Sequence, residues 1–377
     1  MVAAETHSFA RAELMLAGIG GIELSSRQTN RIADQAGEQL LADQHERAER
    51  HAEKRLAVEV PNAPQVAVVE TDGGRIRTRA ENQGSGTHDP AWKESKTAIF
   101  LRMSSDFQAD DPAPHLPAAL FSRQRVRRLM HELKGIPLGD DEPVPNEPAV
   151  SGHAEYVPPR RLMRTCIASL DESKTFGRMM AAEAQRKGFF QAERKAYVAD
   201  GMKCNWTIWD RHFRWQGFVP ILDFIHALSY VHAAAMAIGE GEDFGRHGDS
   251  PAESWGLCLE WATACWQGRV GECVGELQAW LAGQSPPEDE PLAEDDPRRI
   301  VQASITYLTN NQSRMDYPRY RMLGLPLTSA LMESTIKEMN YRVKGSEKFW
   351  NNPSGASRIL ALRAASLSED DRLEKIT

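Results

Sequence analysis

The pattern of hydrophobic and polar positions divides the chain into helical and β-rich stretches. Residues 4–56 are rich in Ala, Gln, Glu, Arg and Leu, which favour helix, and Ser25 or Ser26 is the expected N-cap of a helix over residues 28–54. The run Leu16–Gly21 predicts a turn between two short helices. Two interpretations of this N-terminal segment stay open: a helix-turn-helix that contacts DNA, or a helical hairpin used for dimerisation.

Residues 65–79 have the pattern of β-strands. The run Gln65–Asp72 is apolar and β-branched, Arg75–Arg79 alternates strictly, and two glycines lie between them. This combination predicts a hairpin of two strands joined by a tight glycine turn. Further strands are predicted at Lys96–Met103, Ala196–Asp200 and Gly217–Asp223.

Most of the remaining chain is predicted to be helical, with two acidic, proline-bearing linkers at residues 135–159 and 285–297. Residues 160–186 are regular structure of unassigned type. The helices are expected at Leu120–Leu133, Trp206–Phe213, Phe224–Ile238, Pro251–Ala282 and from Ile300 onward. This order predicts a mixed α/β core interrupted by an all-α block. The block contains four tryptophans that could stack on bases, but core packing is the favoured interpretation of Trp255, Trp261, Trp266 and Trp280.

Length and composition narrow the class of protein. The 377 residues suit two domains, or one domain with a large insertion, and 41 % hydrophobic with 26 % charged residues is typical of a globular protein. The longest apolar runs, such as Phe218–Leu222, are far shorter than the ~20 residues that span a bilayer, so no membrane partner is expected. The five cysteines form no CxxC pair and the N-terminus lacks a secretory pattern, so neither a disulfide framework nor a zinc ribbon is indicated. The expected location is the cytoplasm.

The net charge of −8 does not indicate a protein that is basic overall. The acid is concentrated, because residues 140–147 hold four acidic side chains and residues 288–296 hold six. Without those ten the chain has 43 acidic residues against 45 Lys and Arg, so a local basic groove for nucleic acid stays compatible with the composition.

Two aspartates lie at predicted strand ends and are each followed by glycine: Asp72-Gly73 and Asp200-Gly201. Ligands of open α/β sheets gather at such strand ends, and carboxylates brought together there form the hard-oxygen type of site that holds Mg²⁺ or Mn²⁺. The alternative is structural, since Asp-Gly is a common turn dipeptide.

Glu333 is the best candidate for a third carboxylate. Thr328 or Ser329 is the expected N-cap of a helix that has Glu333 in its first two turns and Lys337 one turn later. One interpretation is an ion pair between Glu333 and Lys337 on a solvated face. The other has Glu333 facing metal and the following basic residues facing phosphate.

Three sequence blocks together resemble the DDE-type transposases of bacterial insertion sequences. The first is Val69–Arg77, the second runs from Ala199–Trp206 to Pro220–Ala227, and the third is Leu325–Lys337 continuing to Trp350. The resemblance covers roughly residues 10–365 and implies an RNase H-like mixed sheet of three antiparallel and two parallel strands. It also implies that an all-α insertion interrupts this core and that a helical segment precedes it. The implied division is 1–60 for the N-terminal segment, 61–230 for the first part of the core, 231–299 for the insertion with its acidic linker, and 300–377 for core completion.

The resemblance also implies roles for individual residues. Asp72, Asp200 and Glu333 match the catalytic carboxylates that bind two Mg²⁺ or Mn²⁺ ions. Asp223 and His226 match a signature near the active site, although His226 could equally be a helix-start histidine satisfied by Asp223. The candidate phosphate contacts are Arg75, Arg77, Arg79, Lys337, Arg342, Lys344 and Lys348.

The implied function is a DNA transposase that cleaves and transfers strands at insertion-sequence ends. Its partners would be the terminal repeats and target DNA, bound by a homo-oligomer associated with the nucleoid. One alternative is a truncated or repurposed relative that binds DNA without catalysing transposition. Another is an unrelated helical scaffold whose Asp-Gly turns are structural.

Overall fold

A computed structural model of the protein describes residues 1–80, 91–134, 156–239, 251–284, 292–344 and 348–376. The strands are β1 (Val66–Thr78), β2 (Ala91–Ser104), β3 (Arg160–Ser169), β4 (Arg194–Ala199) and β5 (Val219–Leu222). The helices of the first half are α1 (Val2–Glu5), α2 (Phe9–Gly20), α3 (Ser26–Ala52), α4 (Arg123–Lys134), α5 (Ser173–Arg186) and α6 (Lys203–His212). The later helices are α7 (Phe224–Gly239), α8 (Pro251–Trp266), α9 (Val270–Ala282), α10 (Pro297–Asn311), α11 (Tyr317–Met322), α12 (Ala330–Val343) and α13 (Pro353–Ser366). Among the described residues, no helix is both long enough and apolar enough to cross a membrane.

The chain forms two compact units. The first consists of Met1–Ser104, Arg160–Pro220 and Ser329–Thr377, and the second of Ser105–Pro159 and Ile221–Thr328. The division into four consecutive stretches stays a prediction. The loop expected at residues 81–89, most of the first linker and residues 285–291 of the second lie outside the described residues.

Five strands form a mixed sheet in the order β3-β2-β1-β4-β5. The central strand β1 pairs antiparallel with β2 and parallel with β4, and β2 pairs antiparallel with β3. The side chains of β1 from Val66 to Thr71 are all buried, as expected for a strand that is covered on both faces. The predicted α/β class is confirmed.

The glycine hairpin predicted at residues 65–79 is wrong. β1 runs through Gly73 and Gly74 without a turn, and these two residues pair with Lys96 and Ser95 of β2. Tight hairpin turns need a positive φ, and neither glycine has one. The two predicted strands are therefore one strand of 13 residues.

The stretch Lys96–Met103, expected to be the third strand, belongs to the second, β2, and the third antiparallel strand lies elsewhere. It is β3, in the stretch for which only regular structure was predicted, and its residues Arg160–Ser169 pair with Ser104–Lys96 of β2. The helix predicted over residues 251–282 is interrupted, because Gly268 adopts a φ of 74° between α8 and α9. The helix predicted over residues 224–238 is confirmed as α7.

The N-terminal helix α3 begins with the predicted cap. The Ser25 hydroxyl accepts from the Gln28 backbone N–H, and the Gln28 side chain accepts in return, which forms a capping box. A buried stripe along α3 packs against α5 and α13. Gly37 lies in this stripe at the closest approach, where a Cβ would come within 2.3 Å of the Arg358 carbonyl oxygen. The turn before α3 is later than predicted, since α2 continues to Gly20 and ends at Gly21 with a φ of 61°.

The tryptophans of the second unit pack mainly in its interior. Trp255, Trp261 and Trp266 are buried, and Trp280 is half-buried. The Trp266 indole N–H donates to the Ala113 carbonyl at 2.8 Å. The favoured interpretation of core packing is confirmed for the three buried rings.

Candidate active site

The two predicted metal-binding aspartates lie at the same level of neighbouring parallel strands. Pairing of β1 with β4 runs from Val66 with Arg194 to Glu70 with Val198, so each partner on β4 is 128 residues later in the chain. The same offset, continued by two residues, brings Asp72 level with Asp200. Asp72 is still inside β1, whereas Asp200 follows the last residue of β4. Both side chains are half-buried.

The interpretation of Asp-Gly as a turn fits one of the two aspartates and not the other. Asp200 does begin a turn, since Gly201 has a φ of 94° and the Asp200 carboxylate accepts from the Met202 backbone N–H at 3.0 Å. Asp72 does not, because it pairs with Thr97 in the interior of the sheet. A turn therefore explains the presence of Asp200 but not that of Asp72.

Asn205 also orients the Asp200 carboxylate. Its side-chain amide donates to the same carboxylate oxygen, Oδ1, at 2.9 Å. Asn205 is itself buried in α6, so the amide has a fixed position. Two donors on one oxygen restrict the rotation of the carboxylate.

Glu333 lies in the first turn of α12, whose N-cap is Ser329 as predicted. This turn is attached to β1 by a buried contact: the Met332 backbone N–H donates to the Glu70 carboxylate at 3.1 Å. Glu70 and Asp72 are two residues apart on a strand and so project from the same face of the sheet. The first turn of α12, which includes Glu333, therefore lies over the face from which Asp72 projects.

The electrostatic environment at this end of the sheet is negative. The thiol of Cys204, at the start of α6, has a raised pKa, first because of burial and then because of the charges of Glu94 and Asp200. Asp72, Asp200 and Glu333 carry the carboxylate oxygens that hard divalent cations prefer.

The second signature lies in the second unit. Asp223 is fully buried, and its carboxylate accepts from the backbone N–H groups of Ile225 at 2.6 Å and His226 at 3.1 Å. These contacts cap the start of α7. The Asp223 carboxylate therefore accepts from the backbone at the start of α7, and both interpretations of His226 stay open.

The basic residues predicted on β1 are exposed to different extents. Arg75 is exposed and lies opposite Glu94 in the sheet. The Arg77 guanidinium lies 5.3 Å from the centre of the Trp92 ring, which is 51 % exposed. The Arg79 guanidinium donates to Asn351 at 3.2 Å.

The basic residues predicted around α12 differ in how far they are exposed. Lys337 and Lys344 are exposed. Arg342 is buried, donates to the Ala3 carbonyl at 2.9 Å, and has its pKa lowered to about 10 by burial and then by Arg363. Lys348 donates to the last carbonyls of α12, and burial followed by Arg342 lowers its pKa to about 8.

Two site residues were not found from the sequence. Glu70 carries a signal, because it is an acid at the end of an otherwise apolar run, but that run alone does not reveal its partner on α12. Asn205 carries none, since its role depends on the turn at Gly201 that brings it back to Asp200.

Comparison with known proteins gives little beyond this geometry. No protein-family model and no curated protein matches the sequence. Among solved structures, the chain is similar to one in the Drosophila P element transposase strand transfer complex. The TM-score is 0.31 at 11 % sequence identity, and 96 % of each chain is covered. A likeness at this level does not extend to activity.

Proposed function

We propose that the protein is a DDE-type DNA transposase that cleaves and joins strands at the ends of a bacterial insertion sequence. The observation that carries the proposal is the shared level of Asp72 and Asp200 on β1 and β4, with the first turn of α12 over the same face. The sheet order, with β1 between an antiparallel and a parallel neighbour, supports an RNase H-like core. The DNA partners would be terminal repeats and target, bound by a homo-oligomer on the nucleoid.

The donor chemistry fits two Mg²⁺ or Mn²⁺ ions. Asp72, Asp200 and Glu333 would hold them through carboxylate oxygens, which are the ligands such ions prefer. When bound, these ions would lower the pKa of an attacking water or 3′-hydroxyl and stabilise the leaving 3′-oxygen.

Other residues of the protein would orient the catalytic carboxylates and neutralise the DNA phosphates. Asn205 and the Met202 N–H hold the Asp200 carboxylate, and Glu70 holds the turn that carries Glu333. Pre-oriented groups of this kind avoid reorganisation during the reaction. The exposed cations Arg75, Lys337 and Lys344 would contact DNA phosphates, whereas the buried Arg342 is assigned no such contact.

The test is nicking of a supercoiled plasmid that carries the DNA flanking the gene, with Mg²⁺, with Mn²⁺ or with chelator. Asp200→Asn should abolish nicking, and the control Asp106→Asn, which changes an exposed carboxylate elsewhere, should not. Mn²⁺ binding followed by electron paramagnetic resonance should weaken in Asp72→Asn and Asp200→Asn.

The alternative is a repurposed relative that binds DNA without cleaving it. It predicts retained DNA binding, no metal-dependent nicking, and wild-type behaviour of Asp200→Asn. An unrelated scaffold would show neither nicking nor salt-dependent binding to DNA.

A further inference from the structure

A cavity of about 340 Å³ lies between α5 and α6 in the first unit. Its lining includes Ser173, the first residue of α5, and follows one face of α6 from its first residue, Lys203, to its last, His212. The unsatisfied N–H groups of a helix N-terminus favour anions, and the N-terminal residue of each helix borders this cavity.

Three exposed cations line the same cavity: Lys174, Lys203 and Arg211. Within the described part of the chain, none of them forms an ion pair with a carboxylate. Two acids close to them in sequence are engaged elsewhere, since Asp171 contacts His45 at 3.4 Å and Asp210 pairs with Arg214 at 2.8 Å. The lining therefore carries three exposed cations, although the charges of Glu94 and Asp200 also act on Cys204 in the same lining.

His212 also lines the cavity. His212 is half-buried, and its pKa is lowered to about 4, first by burial and then by the charges of His51, Arg178 and Arg211. The imidazole is therefore neutral at physiological pH, and the positive charge of the lining comes from the two lysines and Arg211.

The position of the cavity relates it to the carboxylates. Lys203 and Cys204 lie between Met202 and Asn205, the two residues that donate to the Asp200 carboxylate. We propose that this cavity binds the phosphate backbone of the DNA strand next to the scissile position, with Lys203, Arg211 and Lys174 as the phosphate contacts. The proposal rests on the proposed function for the identity of the strand, but binding itself needs neither metal nor cleavage.

The first measurement is DNA affinity without divalent metal. Fluorescence anisotropy of a labelled duplex would be recorded across a series of salt concentrations for wild type, Arg211→Gln and Arg214→Gln. The two variants remove the same group three residues apart, but Arg214 does not line the cavity and pairs with Asp210. Each lost phosphate contact lowers the slope of log K against log salt by about 0.9.

We expect Arg211→Gln, and to a greater extent the double variant with Lys203→Gln, to weaken binding and to lower the salt slope by about 0.9 per residue. Arg214→Gln should keep the wild-type slope. Equal slopes for Arg211→Gln and Arg214→Gln, with matching circular dichroism spectra, would overturn the proposal, as would a wild-type protein that binds no DNA.

A second readout uses a cysteine that the cavity already contains. Cys204 is half-buried in the lining, whereas the other four cysteines are buried, so N-ethylmaleimide should react first at Cys204. Saturating DNA should slow this alkylation, as followed by mass spectrometry. An unchanged rate would contradict the proposal, and so would protection by inorganic pyrophosphate without protection by DNA.

The two proposals fail in different ways. If Cys204 is protected and Arg211→Gln binds weakly while nicking is absent, the cavity stands and the transposase activity does not. If nicking depends on metal and on Asp200 while the cavity variants bind normally, the activity stands and the cavity assignment does not.

Discussion

A buried cluster of charges should make the stability of the first unit depend on pH through Glu183. This carboxylate is 3 % exposed on α5. Its oxygens accept from the guanidinium of Arg186 at 2.6 Å and that of Arg372 at 2.7 Å. Arg372 also binds Asp370, so the cluster connects α5, one wall of the cavity described above, to the C-terminal segment.

The size of the effect follows from the pKa of Glu183. Burial alone would raise it, but the charges of Arg372 and Arg186 outweigh burial and lower the pKa from 4.5 to about 2. A difference of this size corresponds to about 3 kcal/mol of unfolding free energy. Because the pKa is lower in the folded state, this stabilisation is present above pH 4.5 and is lost as the pH falls toward 2.

The substitution Glu183→Gln removes the charge but keeps the size of the side chain. At pH 7 it should lower the free energy of unfolding by about 3–5 kcal/mol, because it leaves buried guanidinium groups without their partner. Glu193→Gln is the matched control, since the Glu193 side chain is 70 % exposed and its carboxylate is as far as 3.9 Å from the Arg194 guanidinium. Its expected effect is below about 0.5 kcal/mol.

Urea unfolding followed by circular dichroism at pH 7 and pH 3 measures these differences, and hydrogen exchange of α5 peptides assigns them to the first unit. Wild type should lose more stability than Glu183→Gln between the two pH values. Equal stability of the two proteins at pH 7, or the same loss on acidification, would refute the reasoning.

Three further predictions concern the candidate site. Asp72→Asn, Asp200→Asn and Glu333→Gln should each abolish metal-dependent nicking without changing circular dichroism or metal-free DNA binding, and cleavage at the parental rate would exclude that residue as a ligand. Glu70→Ala should leave the Met332 N–H without its buried acceptor and so lower the free energy of opening of the first turns of α12 by about 1–3 kcal/mol, which hydrogen exchange measures. Unchanged exchange would show that this contact does not stabilise the start of the helix. Lys344→Ala should weaken DNA binding at low salt regardless of sequence, whereas Lys375→Ala, which removes a lysine already paired with Asp371, should not.

Much of the local structure was predictable because its causes lie within a few residues. The Ser25 cap with Gln28 three positions later specified the start of α3, and the helix expected to begin after Thr328 or Ser329 has Glu333 in its first turn, as α12 shows. The short apolar run before Asp200 predicted β4. The type of β3 was not predictable, since its pairing with β2 joins residues more than 50 positions apart.

The tertiary structure decided the features that depend on distant parts of the chain. Gly73 and Gly74 have the composition of a turn, but pairing with β2 keeps them extended. Arg342 looks like a phosphate contact in its own helix, yet the N-terminal segment covers it through Ala3. Asp72 and Asp200 lie level because each residue of β1 pairs with the β4 residue 128 positions later, and the two aspartates are 128 positions apart. Such a register is set by pairing and packing rather than by either strand alone. The sequence by itself thus determined which carboxylates were candidates, and only the fold brought Asp72 and Asp200 level and laid the turn that carries Glu333 over the same face.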